Sequence, residues 1–200
     1  MPDFVLWLAA VLLAVTSVGL LLSRDWRWTL GLLGGQYFAA FWLILARWPL
    51  TLSAATLVTS WMAVAVLGMT QLSIKNERLS ETSWPSGALF RAFAAGLVLI
   101  TVTSSAQPAN KWLPSAGLPL VWGGFLLIGM GLLHLGMTVH PLRITVGLLT
   151  TLAGFEILYS SLENSILVTG LLAIITLGLA LTGSYLVLFD APEAPESAPE

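Results

Sequence analysis

"FVLWLAAVLLAVTSVGLLL", residues Phe4–Leu22, runs for nineteen residues without a charged side chain. At 1.5 Å per residue, a helix of that length covers roughly 28 Å, about the thickness of a bilayer's hydrocarbon core. Runs of the same kind recur along the whole chain. They predict seven spans: Phe4–Leu22, Trp28–Ala46, Leu50–Leu72, Leu89–Ser105, Leu118–Met137, Leu142–Leu162 and Ile166–Phe189. The 200 residues are 57% hydrophobic and 9% charged, with mean hydropathy +0.90. Soluble domains carry about 25% charged residues, so a soluble globular fold is excluded. The sequence describes an all-α integral membrane protein of about seven transmembrane helices, in contact with the lipid bilayer and not with nucleic acid.

The sequence opens "MPDFVLW", without the basic leader of a cleaved signal peptide, so the first run is expected to be retained as a span. Without cysteine, disulfides, thiolate metal sites and iron–sulfur ligation are excluded. Trp26, Trp28, Trp48, Trp84 and Trp112 stand at span ends, where an aromatic belt is expected. Arg91 lies near the start of the fourth span, within snorkelling reach of the interface. Arg24, Arg27, Lys75, Arg78, Arg91 and Arg143 gather at one side, whereas Arg47 and Lys111 lie at the other. This bias predicts an external N-terminus and a cytoplasmic C-terminus.

"RWTLGLL" at Arg27–Leu33 resembles "RITVGLL" at Arg143–Leu149, an offset of 116 residues. The same offset superposes spans 1, 2 and 3 on spans 5, 6 and 7, with unchanged direction through the membrane. The expected plan is therefore three plus one plus three, a parallel internal repeat. Residues 1–73 form the first unit, 74–117 hold a polar loop, a linking helix and an outer loop, and 118–189 form the second unit. The Pro-, Ala- and Glu-rich tail 190–200 is expected to be disordered. A parallel repeat differs from the inverted repeats of many alternating-access carriers.

Few groups inside the spans could support chemistry. Glu156, in "GFEILYSS" at Gly154–Ser161, is the one acid well inside a span, and it aligns with Ala40 of the first unit. An ionised acid near a bilayer centre costs about 2.5–3.5 kcal/mol on insertion scales. Desolvation disfavours the charged form, so a protonatable carboxyl is expected there, or else a neutral acid bonding a neighbouring helix. Tyr159 and Ser160 follow at i+3 and i+4 on the same side, and Glu163 follows two turns on, in a turn-like stretch. His134 lies near the inner end of span 5, roughly 15 Å in height from Glu156, too far for a direct bond. His134 is also a weak candidate for pigment ligation; a bis-histidine haem would need a second histidine better placed than His140. No bound cofactor is expected from one histidine. Gln36, in the middle of span 2, needs an interhelical partner. Gly31 and Gly35 in GxxxG spacing, with Gly147 and Gly154 in span 6, are the helix-packing candidates. Phosphate-binding glycine motifs and catalytic triads are absent from the sequence, so no active site of its own is expected.

"SRDWRWTLGLLGGQYFAAFWLIL" resembles the early part of the E-type membrane component of hydrogenase-4-like energy-converting complexes. "LLIGMGLLHLGMTVHPLRITVGLLTTLAGFEILYSSLENS" resembles the K-type chain of complex I (NADH-quinone oxidoreductase), whose Gly-x-Glu signature matches Gly154-Phe155-Glu156. The resemblance implies a non-enzymatic membrane subunit of an energy-converting complex, with Glu156, Tyr159, Glu163, His134 and Gln36 as proton-path candidates and other membrane subunits as partners. The chain departs from the K-type pattern in two places. Arg143 precedes the acid by thirteen residues where about ten is usual, and the last span lacks an acid before Asp190. The alternative expectation is a structural or assembly subunit of a respiratory or photosynthetic complex.

Overall fold

A computed structural model describes residues 3–23, 25–73, 87–113 and 116–190. The described residues form seven helices: α1 (Asp3–Leu22), α2 (Trp26–Leu45), α3 (Leu50–Ser73), α4 (Ala88–Trp112), α5 (Leu118–Gly136), α6 (Pro141–Ser160) and α7 (Ile166–Phe189). Each is long and apolar enough to cross a membrane, and the described residues contain no strand. The protein is an all-α membrane protein. Most of the polar loop, with Lys75, Arg78 and Trp84, and the tail 191–200 lie outside the described residues, as does Arg24.

Local sequence sets the helix starts. Pro141 opens α6 and Pro119 sits in the first turn of α5, positions where the missing N–H would have no intrahelical partner. Gly117, at φ +79°, makes the turn into α5 in a conformation that side chains with a Cβ avoid. The fourth helix is longer than Leu89–Ser105. It runs through Pro108 to Trp112, because proline removes one hydrogen bond in a stretch whose Ser104, Ser105 and Gln107 are exposed.

The packing follows the repeat offset. α1 lies beside α5, α2 beside α6 and α3 beside α7, so two rows of three helices stack, and α4 covers the α1/α5 edge. The bounds of α7 are those of α3 moved by 116 residues. Three hydrogen bonds fix which connections share an end. Arg47 Nη2 donates to the Ala116 carbonyl at 2.8 Å and Trp48 Nε1 to the Glu163 carbonyl at 2.9 Å. At the opposite end, Arg143 Nη2 donates to the Ser23 carbonyl at 2.7 Å. These are called the Trp48 end and the Arg143 end below. Trp48 is thus buried and bonded, not a belt residue, while Trp28 and Trp112 are exposed. Arg91 is likewise buried.

The tightest packing is between α5 and α6. A Cβ on Gly154 would stand 2.7 Å from the Gly124 carbonyl oxygen, and one on Gly131 would stand 2.8 Å from that of Gly147. The two backbones therefore touch at two levels, seven residues apart on each helix. Gly31 and Gly35 are placed differently. No atom lies within 4 Å of a Cβ on Gly31, and both residues line an open apolar groove of about 540 Å³ between α2 and α3, with Gly34, Phe38, Trp61 and Ala65. GxxxG spacing brings no close backbone crossing here: a Cβ on Gly35 would meet only the Thr16 side chain of α1, at an ordinary 3.7 Å, and one on Gly31 would meet nothing.

Gly154→Ala is expected to destabilise the detergent-solubilised protein by about 1–3 kcal/mol, through overpacking against backbone that cannot yield. Gly31→Ala, facing open space, should change stability by less than about 1 kcal/mol. Equal effects in thermal unfolding would contradict this assignment of the close contact.

Candidate functional site

α6 turns one face toward α2, carrying Leu142, Val146, Leu149, Ala153, Glu156 and Ser160, all buried. The equivalent residues of α2 also point inward, including Leu30, Leu33, Tyr37 and Ala40. At the repeat offset Tyr37 stands level with Ala153, and Ala40 with Glu156. Each large polar side chain therefore has a small residue at its own level on the facing helix. That exchange of sizes makes room for a carboxyl inside an apolar block.

Glu156 is 5% exposed, and among the described residues no side chain hydrogen-bonds to its carboxyl. Tyr37 is within its electrostatic reach. One residue before Tyr37, Gln36 is fully buried at the middle of α2, and its Oε1 accepts a 3.5 Å bond from Ser17 Oγ of α1. Gln36 Nε2 has no partner among the described residues. Toward the Trp48 end, Ser160 Oγ donates to the Ile157 carbonyl, and Tyr159 packs edge-on against Trp48 and stacked on Phe155. The Tyr159 hydroxyl is buried without a partner among the described residues. Ser17, Gln36, Tyr37, Glu156 and Tyr159 thus follow one another from mid-membrane toward the Trp48 end.

Two other candidates lie apart. Glu163 would share the face of Glu156 only if α6 continued, but the helix ends at Ser160. Hydroxyls of Ser160 and Ser161 take up the last-turn carbonyls of Ile157 and Leu158. The Glu163 side chain is exposed in the connection, and only its carbonyl is used, by Trp48. His134 is buried near the Arg143 end of α5. The contacts of Gly124 with Gly154 and of Gly131 with Gly147 set Glu156 level with about residue 124, some ten residues from His134. That is roughly 15 Å along the helix axis, so the two side chains do not meet. Among the described residues no group of three or more His, Cys, Asp or Glu could hold a metal ion.

Sequence reading did not single out Tyr37, Ser17 or the bonded role of Trp48. The signal for Tyr37 was present: aligning the two units pairs it with Ala153 just as Ala40 pairs with Glu156.

The fold and site define an integral membrane protein whose described residues form seven helices, with one carboxyl among them, that of Glu156, enclosed between the helices. No family model, curated protein or solved structure matches the chain.

If Tyr37 and Glu156 share one polar environment, Tyr37→Phe and Glu156→Gln should not act independently. A double-mutant cycle on stability in detergent is expected to give a coupling of about 0.5–1.5 kcal/mol. A coupling of zero within error would place the two groups in separate environments.

Proposed function

We propose that the chain is a non-enzymatic membrane subunit of a multisubunit energy-converting complex, of the hydrogenase-4 E or complex I K type, in which Glu156 exchanges a proton. The observation that carries the reading is the enclosed carboxyl of Glu156, within electrostatic reach of Tyr37 and in the same half of the interior as the buried Ser17, Gln36 and Ser160. Intramembrane ionisable residues are rare because of their insertion cost and concentrate where ions or protons move. The Gly154-Phe155-Glu156 match to the K-type signature supports the same reading. Partner subunits would lie against the least covered helix, α4, where Leu89, Phe90, Phe93, Leu97 and Ile100 are exposed. The cellular setting proposed is a bacterial plasma membrane, with the Arg143 end cytoplasmic, since most basic residues fall at that end.

A second reading is favoured by one observation: among the described residues, no continuous line of polar side chains crosses the helix block. In that reading it is a structural or assembly subunit, and Glu156 is an interhelical bonding group. Two substitutions separate the readings. Glu156→Gln keeps shape and much of the hydrogen bonding but cannot exchange a proton. The proton-exchange reading expects an assembled complex with impaired proton uptake. The structural reading expects near-normal uptake in Glu156→Gln, and weakened assembly in Glu156→Leu. Normal uptake by a fully assembled Glu156→Leu complex would reject both.

A further inference from the structure

Glu156 is placed unequally between the two membrane faces. It lies four residues before the end of α6, about 6 Å, and fifteen residues after its start, about 22 Å. The short interval holds polar groups, the buried hydroxyls of Ser160 and Tyr159, next to the bonded indole of Trp48. The long interval is different. Below the level of Gln36, the interior is filled by Leu20, Leu33, Met130 and Leu149, each at most 2% exposed, with Leu30 and Val146 beneath them. Thr150 is the one buried hydroxyl of α6 at that level. It stands about 120° around the helix from Glu156, on the α5 side. His134 is beyond this aliphatic layer, toward the Arg143 end.

Packed aliphatic side chains leave few voids as large as a water molecule, and a proton crosses such a layer only where water or a polar group enters it. Titratable groups near Glu156 do not bridge the layer. On α2 the neighbour is Tyr37, level with the mid-membrane cluster; on α5 it is His134, on the far side. On α7, Tyr185 is exposed and close to the Arg143 end. Arg47 and Glu163 both lie at the Trp48 end, and Arg143 at the other.

We infer that Glu156 is the terminus of a one-sided proton access path: it exchanges protons with the Trp48 end and is sealed from the Arg143 end by the layer of Leu20, Leu33, Met130 and Leu149. Gln36 and Ser17 close the inner limit of the path, with Gln36 Nε2, which has no partner among the described residues, able to bind a water there. Such a path cannot carry a proton across the membrane within this chain, so onward transfer toward the Arg143 end must use a group on another subunit. This inference rests on the proposed proton exchange at Glu156 and adds its direction.

The test uses the full chain in proteoliposomes whose orientation is set by selecting for a protease-accessible tag after Glu200. The carboxyl infrared band of Glu156 is assigned by its loss in Glu156→Gln. A pH step is then applied to one side at a time, and the rate of change of the band is followed. A step at the Trp48 end should be answered at least tenfold faster than one at the Arg143 end. Leu33→Ser with Leu149→Ser should raise the slow rate at least tenfold. Equal rates, or faster exchange from the Arg143 end, would overturn the direction while leaving proton exchange intact. A band unresponsive to pH on either side would overturn both the direction and the exchange on which it rests.

Discussion

Backbone contact between α5 and α6 is the constraint on which the rest depends. Gly124 against Gly154 and Gly131 against Gly147 let the two helices approach until a single methyl group would force them apart. In lipid, apolar side chains gain little by leaving one hydrocarbon environment for another, so close van der Waals packing between small residues holds helices together. The contact also fixes register. Once Gly154 is seated on Gly124, Glu156 is set one turn from the Trp48 end and turned toward α2. The hydrogen bonds of Arg47, Trp48 and Arg143 to carbonyls of distant connections then tie the two rows together at both ends.

Within that frame the two halves of the membrane interior differ in chemistry. One half carries Ser17, Gln36, Tyr37, Glu156 and Ser160 in the central helices. The other is mainly leucine and methionine until it reaches the layer of His134, Thr29 and Thr145, all buried close to the Arg143 end. A polar group in hydrocarbon is costly unless bonded. A cluster confined to half the thickness, with Gln36 Nε2 and the Tyr159 hydroxyl left without partners among the described residues, is therefore more than packing requires. Three hydroxyls of the α3/α7 pair offer a contrast, whereas that of Ser184, also buried on α7, has no partner among the described residues. Thr56, Thr169 and Thr176 are buried there too, but each hydroxyl is used by a backbone carbonyl of its own helix or its N-cap residue. Hydroxyls satisfied in that way serve the seam between two helices.

Much of the fold was legible because length and hydropathy suffice to define a membrane helix. Ile166–Phe189 needed nothing else, and α7 has those bounds. Pro108 was the exception: it reads as a helix end, yet a membrane helix can lose one hydrogen bond at an exposed end and continue. Site residues were less legible, since an internal position reveals its height but not its neighbours. The separation of His134 from Glu156 followed from rise per residue alone. The exposure of Glu163 did not, because it depended on where α6 stops, at Ser160. Gly31 and Gly35 show the same limit from the other direction. Their spacing is that of a close crossing, but the chain leaves them facing an open groove.

The central claim is that Glu156 is an enclosed carboxyl able to take up and release a proton. Reaction of the intact membrane-embedded protein with a hydrophobic carbodiimide, followed by peptide mass analysis, tests it most directly, since the reagent partitions into apolar surroundings and reacts with protonated carboxyls there. The modification is predicted at Glu156, with a rate that falls as pH is raised, while a membrane-impermeant water-soluble analogue leaves Glu156 unmodified and labels Glu163. Modification of Glu163 alone by both reagents, with Glu156 untouched at every pH, would contradict it.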